Sequence, residues 1–382
     1  MVINRPLLAL AALAGCELFV SVPQGELGST AHCTADVQCP AATPYCDLPT
    51  NACVECRTGA DCSSDAPSCI AGACTSCRID ADCDGSTCLP DGTCADPSRI
   101  AFASPSGTGD CSQAAPCDLD TAVTHLSSTI DIIQLLPGTY TRATALPIAT
   151  TAIIAGSSAT LQGTTTPSID VEAGDLTLLD IAIAANGQLG ILCQANGKLT
   201  LRRVRVTGAS TAVDAQGCEL AMDRTSVTGS SSYGVVVSTG PIAISSSYVT
   251  GNGGGIALSS VASGSIIDST IAANTLIMGT FGVLCTMSSS VVVENDVIWT
   301  NPTDANCVAS YSDLDAGYAG TGTNNVTMDP MFVGAPVDYH LAPTSPLRGL
   351  GDPALMDSTD YDGEPRPQPA GSAPDLGADE IP

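Results

Sequence analysis

Aromatic side chains are scarce: four Phe, eight Tyr and one Trp in 382 residues. Positive charge is scarce too, with 12 Lys+Arg against 39 Asp+Glu and a formal charge of −27. The only lysine is Lys198, and the only histidines are His32, His125 and His340. A chain this acidic repels phosphate backbones, so nucleic acid is excluded as a partner. The aromatic shortage argues against a bulky globular core and against the stacking platforms that sugar-cleaving enzymes use. No apolar run reaches the ~20 residues that a membrane-spanning helix needs. What is present is 44% apolar residues, enough to bury a core and to exclude wholesale disorder.

Residues 1–15 carry one charge, Arg5, and then an apolar run from Leu7 to Ala14. That run has the length of a signal-peptide core. It closes on Leu13-Ala14-Gly15-Cys16, which resembles the lipobox of bacterial lipoproteins. The resemblance implies cleavage before Cys16, lipidation of its thiol, and stable anchoring by several acyl chains. Residues 16–32 then form a tether, and the expected location is the cell envelope, at the outer membrane or cell surface.

Twelve of the 19 cysteines fall between Cys33 and Cys94. They form three four-cysteine units: Cys33, Cys39, Cys46 and Cys53; Cys56, Cys62, Cys69 and Cys74; Cys77, Cys83, Cys88 and Cys94. Acids precede the second cysteine of the later units, at Asp61 and Asp82. Zinc is the alternative reading of the Cys-x2-Cys junctions. An exported chain with an even twelve favours disulfides, whose connectivity spacing alone leaves open. Each unit is too small for its own core, so cross-links must stabilise it. Residues 33–96 therefore read as a disulfide-rich stalk, similar to the short Cys-rich repeats of some bacterial surface lipoproteins.

Beyond Pro97 cysteine thins out and Val, Ile, Thr, Ser and Gly take over. One column of a repeat starts at Leu176, Leu199, Leu220, Ile242, Gly264 and Val291, spaced 23, 21, 22, 22 and 27 residues apart. A second column reads Ile183, Val206, Val227, Val249, Ile271 and Ile298, and a third Ile169, Ile191, Val213, Val235, Ile256 and Val283. Each unit holds about three short strands with period-2 alternation between Gly/Ser/Asn turns. One such coil cannot bury its apolar face alone, whereas stacked coils share a continuous core. The expected fold is all-β: a right-handed parallel β-helix over residues 97–345, closed by residues 346–382. At ~22 residues per coil the length predicts roughly nine coils. Asn186, Asn252, Asn274 and Asn301 share a column after one strand, as stacked amides would. Residues 118–128 read as a short amphipathic helix with an Asp N-cap, suited to plugging the coil's open end.

Two regions carry a more specific likeness. Ser106–Cys111, Pro116-Cys117 and Asp131–Tyr140 resemble the entry region of bacterial pectin-lyase-like β-helix proteins. Asp329–Val333, Asp338–Leu341, Ser345-Pro346, Asp360–Gly363, Arg366-Pro367, Asp375–Ala378 and Glu380 resemble the closing module of choice-of-anchor Q domain proteins. Membership of such a family implies a fold and an extracellular address but no reaction.

Catalytic equipment is hard to find. β-helix lyases need an Arg or Lys base beside calcium-binding acids, and hydrolases need two or three convergent carboxylates. The outward residues of the strand beginning at Ile169 are Asp170, Leu192, Asp214, Val236, Ala257 and Leu284, two acids with no base between them. The densest basic cluster is Arg202, Arg203, Arg205 and Arg224. Arg202, Arg203 and Arg205 are the candidates for a uronate-binding patch. Stacking also sets Arg203 beside Asp180 and Arg202 beside Asp223, as structural ion pairs between coils. Asp357, Asp360 and Asp362 superficially resemble a calcium loop, although their spacing departs from the EF-hand pattern. No other cofactor is expected. Cys111 and Cys117 can close a local loop, and Cys285 and Cys307 lie one coil apart. Cys193 can reach Cys218 only if a turn bends the latter back. The sequence favours a non-catalytic binding, adhesion or structural module that meets glycans or envelope proteins. A polysaccharide lyase or hydrolase is the alternative.

Overall fold

The computed structural model describes residues 33–63, 66–83, 86–164, 166–194, 196–275, 281–288, 290–315 and 322–382. The signal segment, Cys16 and the tether lie outside the described residues. The chain divides into two compact units, one ending at Ser76 and the other running from Cys77 to Pro382.

In the first unit, two antiparallel hairpins pair Tyr45–Asp47 with Ala52–Val54 and Ser68–Ile70 with Ala73–Thr75. Disulfides join Cys33 to Cys46, Cys39 to Cys53, Cys56 to Cys69 and Cys62 to Cys74. Each four-cysteine unit thus bonds its first to its third cysteine and its second to its fourth. Asp61 accepts the backbone N–H groups of Arg57 and Thr58 at 2.8 and 3.0 Å, capping the 3-10 turn before Cys62. A side-chain acceptor is favoured there because the turn's first N–H groups have no other partner, and Gln38 fills the same place before Cys39.

The third cysteine unit repeats that pattern, with Cys77–Cys88 and Cys83–Cys94 bonded. It belongs, however, to the second compact unit rather than to the stalk with which its spacing groups it. Asp80 receives an amide hydrogen from Gln134 at 3.1 Å, and Thr87 bonds the same side chain. Ala95 packs with Ile100, Phe102 and Ile132 in one apolar cluster.

The body is a parallel coil. Its first ladder holds eight strands, Leu146–Ile148, Ile169–Val171, Ile191–Cys193, Val213–Gln216, Tyr233–Ser238, Gly254–Ser259, Phe281–Thr286 and Thr303–Ala305. The register runs Ile169 to Ile191 to Val213 to Val235 to Ile256 to Val283. The second ladder aligns Leu176, Leu199, Leu220, Ile242, Gly264 and Val291. The third aligns Ile183, Val206, Val227, Val249, Ile271 and Ile298. All three columns match the sequence columns, because a one-residue slip would turn every inward aliphatic side chain out to solvent. About eight turns form, where length alone predicts nine. Residues 327–382 leave the coil path and pack beside it.

At the entry, Asp118 caps the helix Leu119–Thr124 by accepting from Thr121 N at 2.7 Å. Leu119 and Ala122 are buried in the main core, beside the Cys111–Cys117 disulfide. Cys285–Cys307 and Cys193–Cys218 are also bonded, so the turn at Gly217 does carry Cys218 back to Cys193.

Two polar ladders stand inside the coil. Asn252 donates to Asn274 Oδ1 at 3.0 Å, and Asn274 to Asn301 Oδ1 at 3.1 Å. Asn186 stands outside this ladder, since Ala209 and Ser230 occupy its column in the next two coils; its amide bonds Gly163 O. A second ladder climbs from Thr225 N to Ser247 Oγ, Ser247 N to Ser269 Oγ, and Ser269 N to Asp296 Oδ1.

The turn between the second and third strands passes through one left-handed residue per coil. Asp180, Arg203, Arg224, Ser246, Asp268 and Asn295 all have φ between 45° and 59°. Residues 346–382 dock on this edge, along the side of the coil. Ser246 donates to Thr359 O at 2.8 Å, Asp268 accepts from Asp357 N at 2.5 Å, and Asn295 accepts from Asp352 N at 2.7 Å. Gly377, with φ of +91°, lies so close that a Cβ would stand 2.7 Å from Thr270 Oγ1. Only glycine permits that approach.

Candidate functional site

Alternation on the third ladder decides which side chains face out. Val206, Val227 and Val249 point into the core, so their neighbours form two outward rows. Arg205, Ser226 and Tyr248 make one row, and Thr207, Thr228 and Thr250 the other. The hairpin of Phe332–Gly334 and Asp338–Leu341 rises beside these rows. Together with Tyr361 they line a cleft of about 300 Å³.

Its wall is an aromatic and acidic cluster. Tyr248 stacks edge-on against Tyr361 at 4.6 Å and against His340 at 5.8 Å between ring centroids. Tyr248 is 6% exposed, and its hydroxyl has no hydrogen-bond partner among the described residues. Burial, then the nearby Asp379 and Asp362 carboxylates, holds its pKa well above the usual value. His340 touches a carboxylate at each ring nitrogen: Nδ1 meets Asp338 Oδ1 at 2.5 Å, and Nε2 meets Asp362 Oδ2 at 2.8 Å. Burial works against a charged imidazole there, yet the bonds to Asp338 and Asp362 outweigh it and raise the pKa. Asp379, 8% exposed, accepts from Leu341 N at 2.7 Å, and burial pushes its pKa up to about 6. Tyr361 shares hydrogen bonds with Ser226 and Arg205.

The basic candidates separate. Arg203 clamps both oxygens of Asp180, at 2.5 and 2.6 Å. Arg202 pairs with Asp223 at 3.1 Å and donates to Pro90 O at 2.6 Å. Both are structural, in line with the stacking of charges between coils. Arg205 alone reaches the cleft, because the left-handed turn at Arg203 starts a new strand with a different outward face.

The acidic run does not converge as a calcium loop would. Both Asp360 oxygens are taken by backbone N–H groups, of Glu364 at 2.7 Å and Glu380 at 3.2 Å. Asp357 accepts from Ser358 N, and Asp362 faces His340. The Asp-Gly pattern serves a turn instead, with Gly363 at φ +88°. On the first ladder, Asp170 and Asp214 bond Gln194 and Gln216 at 2.9 Å each.

Sequence patterns do not gather Tyr248, Asp338, His340, Tyr361 and Asp379 into one group. The one signal they carry is the Asp338-x-His340 pair on a single hairpin face.

Residues 189–329 match the family model described as a right handed beta helix region. The body is a right-handed parallel β-helix. No curated protein matches the chain. Among solved structures, a pectate lyase, Pel9A, is similar at 16% identity over 74% of this chain and 96% of that one, with a TM-score of 0.42. Among the described residues no helix is long and apolar enough to cross a membrane.

Proposed function

We propose that this protein is a lipid-anchored component of the bacterial cell envelope that binds glycans without cleaving them. In this reading residues 1–15 are removed, Cys16 carries the lipid, and the disulfide-rich stalk holds the β-helix away from the membrane at the outer membrane or cell surface. The reading rests on the composition of the cleft. It sets hydroxyls from Thr207, Thr228 and Thr250 beside one cleft-facing guanidinium, Arg205, and the ring edges of Tyr248 and Tyr361. Hydroxyl rows bond sugar hydroxyls, and a guanidinium takes a uronate carboxylate. A volume near 300 Å³ sits at the small end of ligand sites, the size of one or two sugar units.

A glycan array probed with the purified chain tests this directly. Binding to a defined glycan that is lost in Arg205→Ala, with folding intact, supports the reading. Incubation with uronate polysaccharides tests the enzymatic rival through the ultraviolet absorbance of unsaturated products. Sustained turnover abolished by the same substitution would overturn it.

A further inference from the structure

We infer that His340, Asp362 and Asp379 form a binding site for a divalent transition-metal ion, with Zn2+ the best fit. Each presents one ligand atom, and the three atoms lie within 4.8 Å of one another. Tetrahedral zinc bound at ~2.0–2.2 Å separates its ligand atoms by roughly 3.3 Å, so only a small side-chain adjustment is required.

Three further observations point to a cation. Asp338 holds His340 through Nδ1 at 2.5 Å and accepts from the His340 backbone N–H at 3.0 Å. An imidazole that donates from Nδ1 to a carboxylate carries its lone pair on Nε2, the arrangement in which histidine binds zinc. Nε2 and Asp362 Oδ2, 2.8 Å apart, are held together by a proton on Nε2 or, once they open to the ~3.3 Å of tetrahedral ligands, by a shared metal ion.

The local charge balance is also uneven. Asp338, Asp362 and Asp379 lie around a single imidazole. A doubly charged ion neutralises that excess. One imidazole with carboxylates favours zinc or a related transition metal over calcium, which prefers oxygen ligands alone.

The Tyr248 hydroxyl supplies an independent indication. It is more than nine-tenths buried, has no partner among the described residues, and lies near enough to Asp379 and Asp362 to feel their charge. A buried hydroxyl without a partner is costly, and a metal-bound water or the ion itself satisfies it. Of the three ligand residues, His340 also lines the cleft. The inference does not depend on glycan binding, because its test uses metal alone.

The experiment is calorimetric titration of Zn2+ into the oxidised full chain after chelator treatment and dialysis. One ion per chain is expected, with Asp379→Asn and His340→Gln each weakening binding at least tenfold. Asp338→Asn, which removes only the orienting carboxylate, is expected to weaken it by about 10–100-fold. Tyr248→Phe should weaken it less. Zn2+ should raise the melting temperature of the wild-type chain and leave that of His340→Gln unchanged. Asp362→Asn, at an exposed position, keeps the test interpretable should the buried variants fail to fold. Absence of stoichiometric binding, or binding that survives both His340→Gln and Asp362→Asn, overturns the site. Tighter binding of Ca2+ than of Zn2+ at these residues overturns the assignment to a transition metal.

Discussion

Arg366 and Glu380 meet at 3.2 Å with both side chains wholly removed from solvent. The guanidinium also donates to Asp375 O at 3.1 Å and Gly377 O at 2.7 Å, while Glu380 accepts from Gln368 N and Asp375 N. This pair ties Gln368, Asp375 and Gly377 together within the C-terminal module. Removing one partner strands the other as a buried charge, which costs ~3–5 kcal/mol. Arg366→Ala and Glu380→Ala are each expected to destabilise the chain by about that amount in urea denaturation. Replacing both with apolar residues should cost much less. A double-variant loss equal to the sum of the two single losses would show that the pair does not act as a unit.

The asparagine ladder gives a second test. Asn274 receives Asn252 N and Asn252 Nδ2 at 3.0 Å each and donates to Val249 O at 2.9 Å and Asn301 Oδ1 at 3.1 Å. Asn274→Ala leaves several of these buried groups unpaired, and a loss of about 2–3 kcal/mol is expected. Asn186→Ala removes one bond at an exposed turn and should cost under about 1 kcal/mol. Thermal melts of the two variants separate the cases.

The arginine cluster divides stability from binding. Arg203→Ala breaks the two-point clamp on Asp180 and should lower stability by ~1 kcal/mol while sparing ligand affinity. Arg205→Ala should do the reverse. Melting curves and glycan binding measured on both variants check the pair; matched losses of affinity would contradict the division.

Stability should fall as pH rises through neutrality. Burial pushes Asp304 and Asp313 up to about 7 and Asp268 up to about 6. Their unfolded values lie near 3.9, so the folded state holds more protons between these limits. Their favourable contribution is complete below pH ~4 and disappears as pH climbs through 6 to 7. Asp118 works oppositely, because the N–H of Thr121 lowers its pKa, and its contribution is lost in acid. The melting temperature should therefore be higher at pH 5 than at pH 8. Asp313→Asn should flatten the slope. A melting temperature that rises over this interval would contradict the account.

Reduction should affect the two compact units differently. In residues 33–76 four disulfides close loops of 12 to 14 residues and stand in for a core, each stabilising by ~3 kcal/mol. The β-helix has a continuous aliphatic core of its own. After reduction, trypsin should cut at Arg57 well before the β-helix is digested. Simultaneous loss of both would contradict this.

Much of the coil is legible in the amino-acid pattern alone. Ladder columns align residue by residue because a strand's side chains alternate strictly and the coil repeats its length nearly unchanged. The Arg203–Asp180 and Arg202–Asp223 pairs follow from that alignment. The coil number does not, since nothing in the apolar pattern marks where residues 327–382 stop coiling. The 77–94 unit escapes for a similar reason: its cysteine spacing repeats the stalk, while its packing partners, Gln134 and the Ile100 cluster, lie in the body.

Sequence by itself determined the inward face of the helix, because only one register buries its Val, Ile and Leu side chains. Tertiary structure decided the cleft. Arg205 and Tyr248 share one column of the coil, but His340, Tyr361 and Asp379 lie outside its period, and their meeting with that column depends on where the C-terminal module docks. That docking runs through Ser246, Asp268 and Asn295, left-handed turn residues whose side chains bind its backbone. Such contacts join segments far apart in the chain, so their energy is set by surfaces that exist only once the coil has formed.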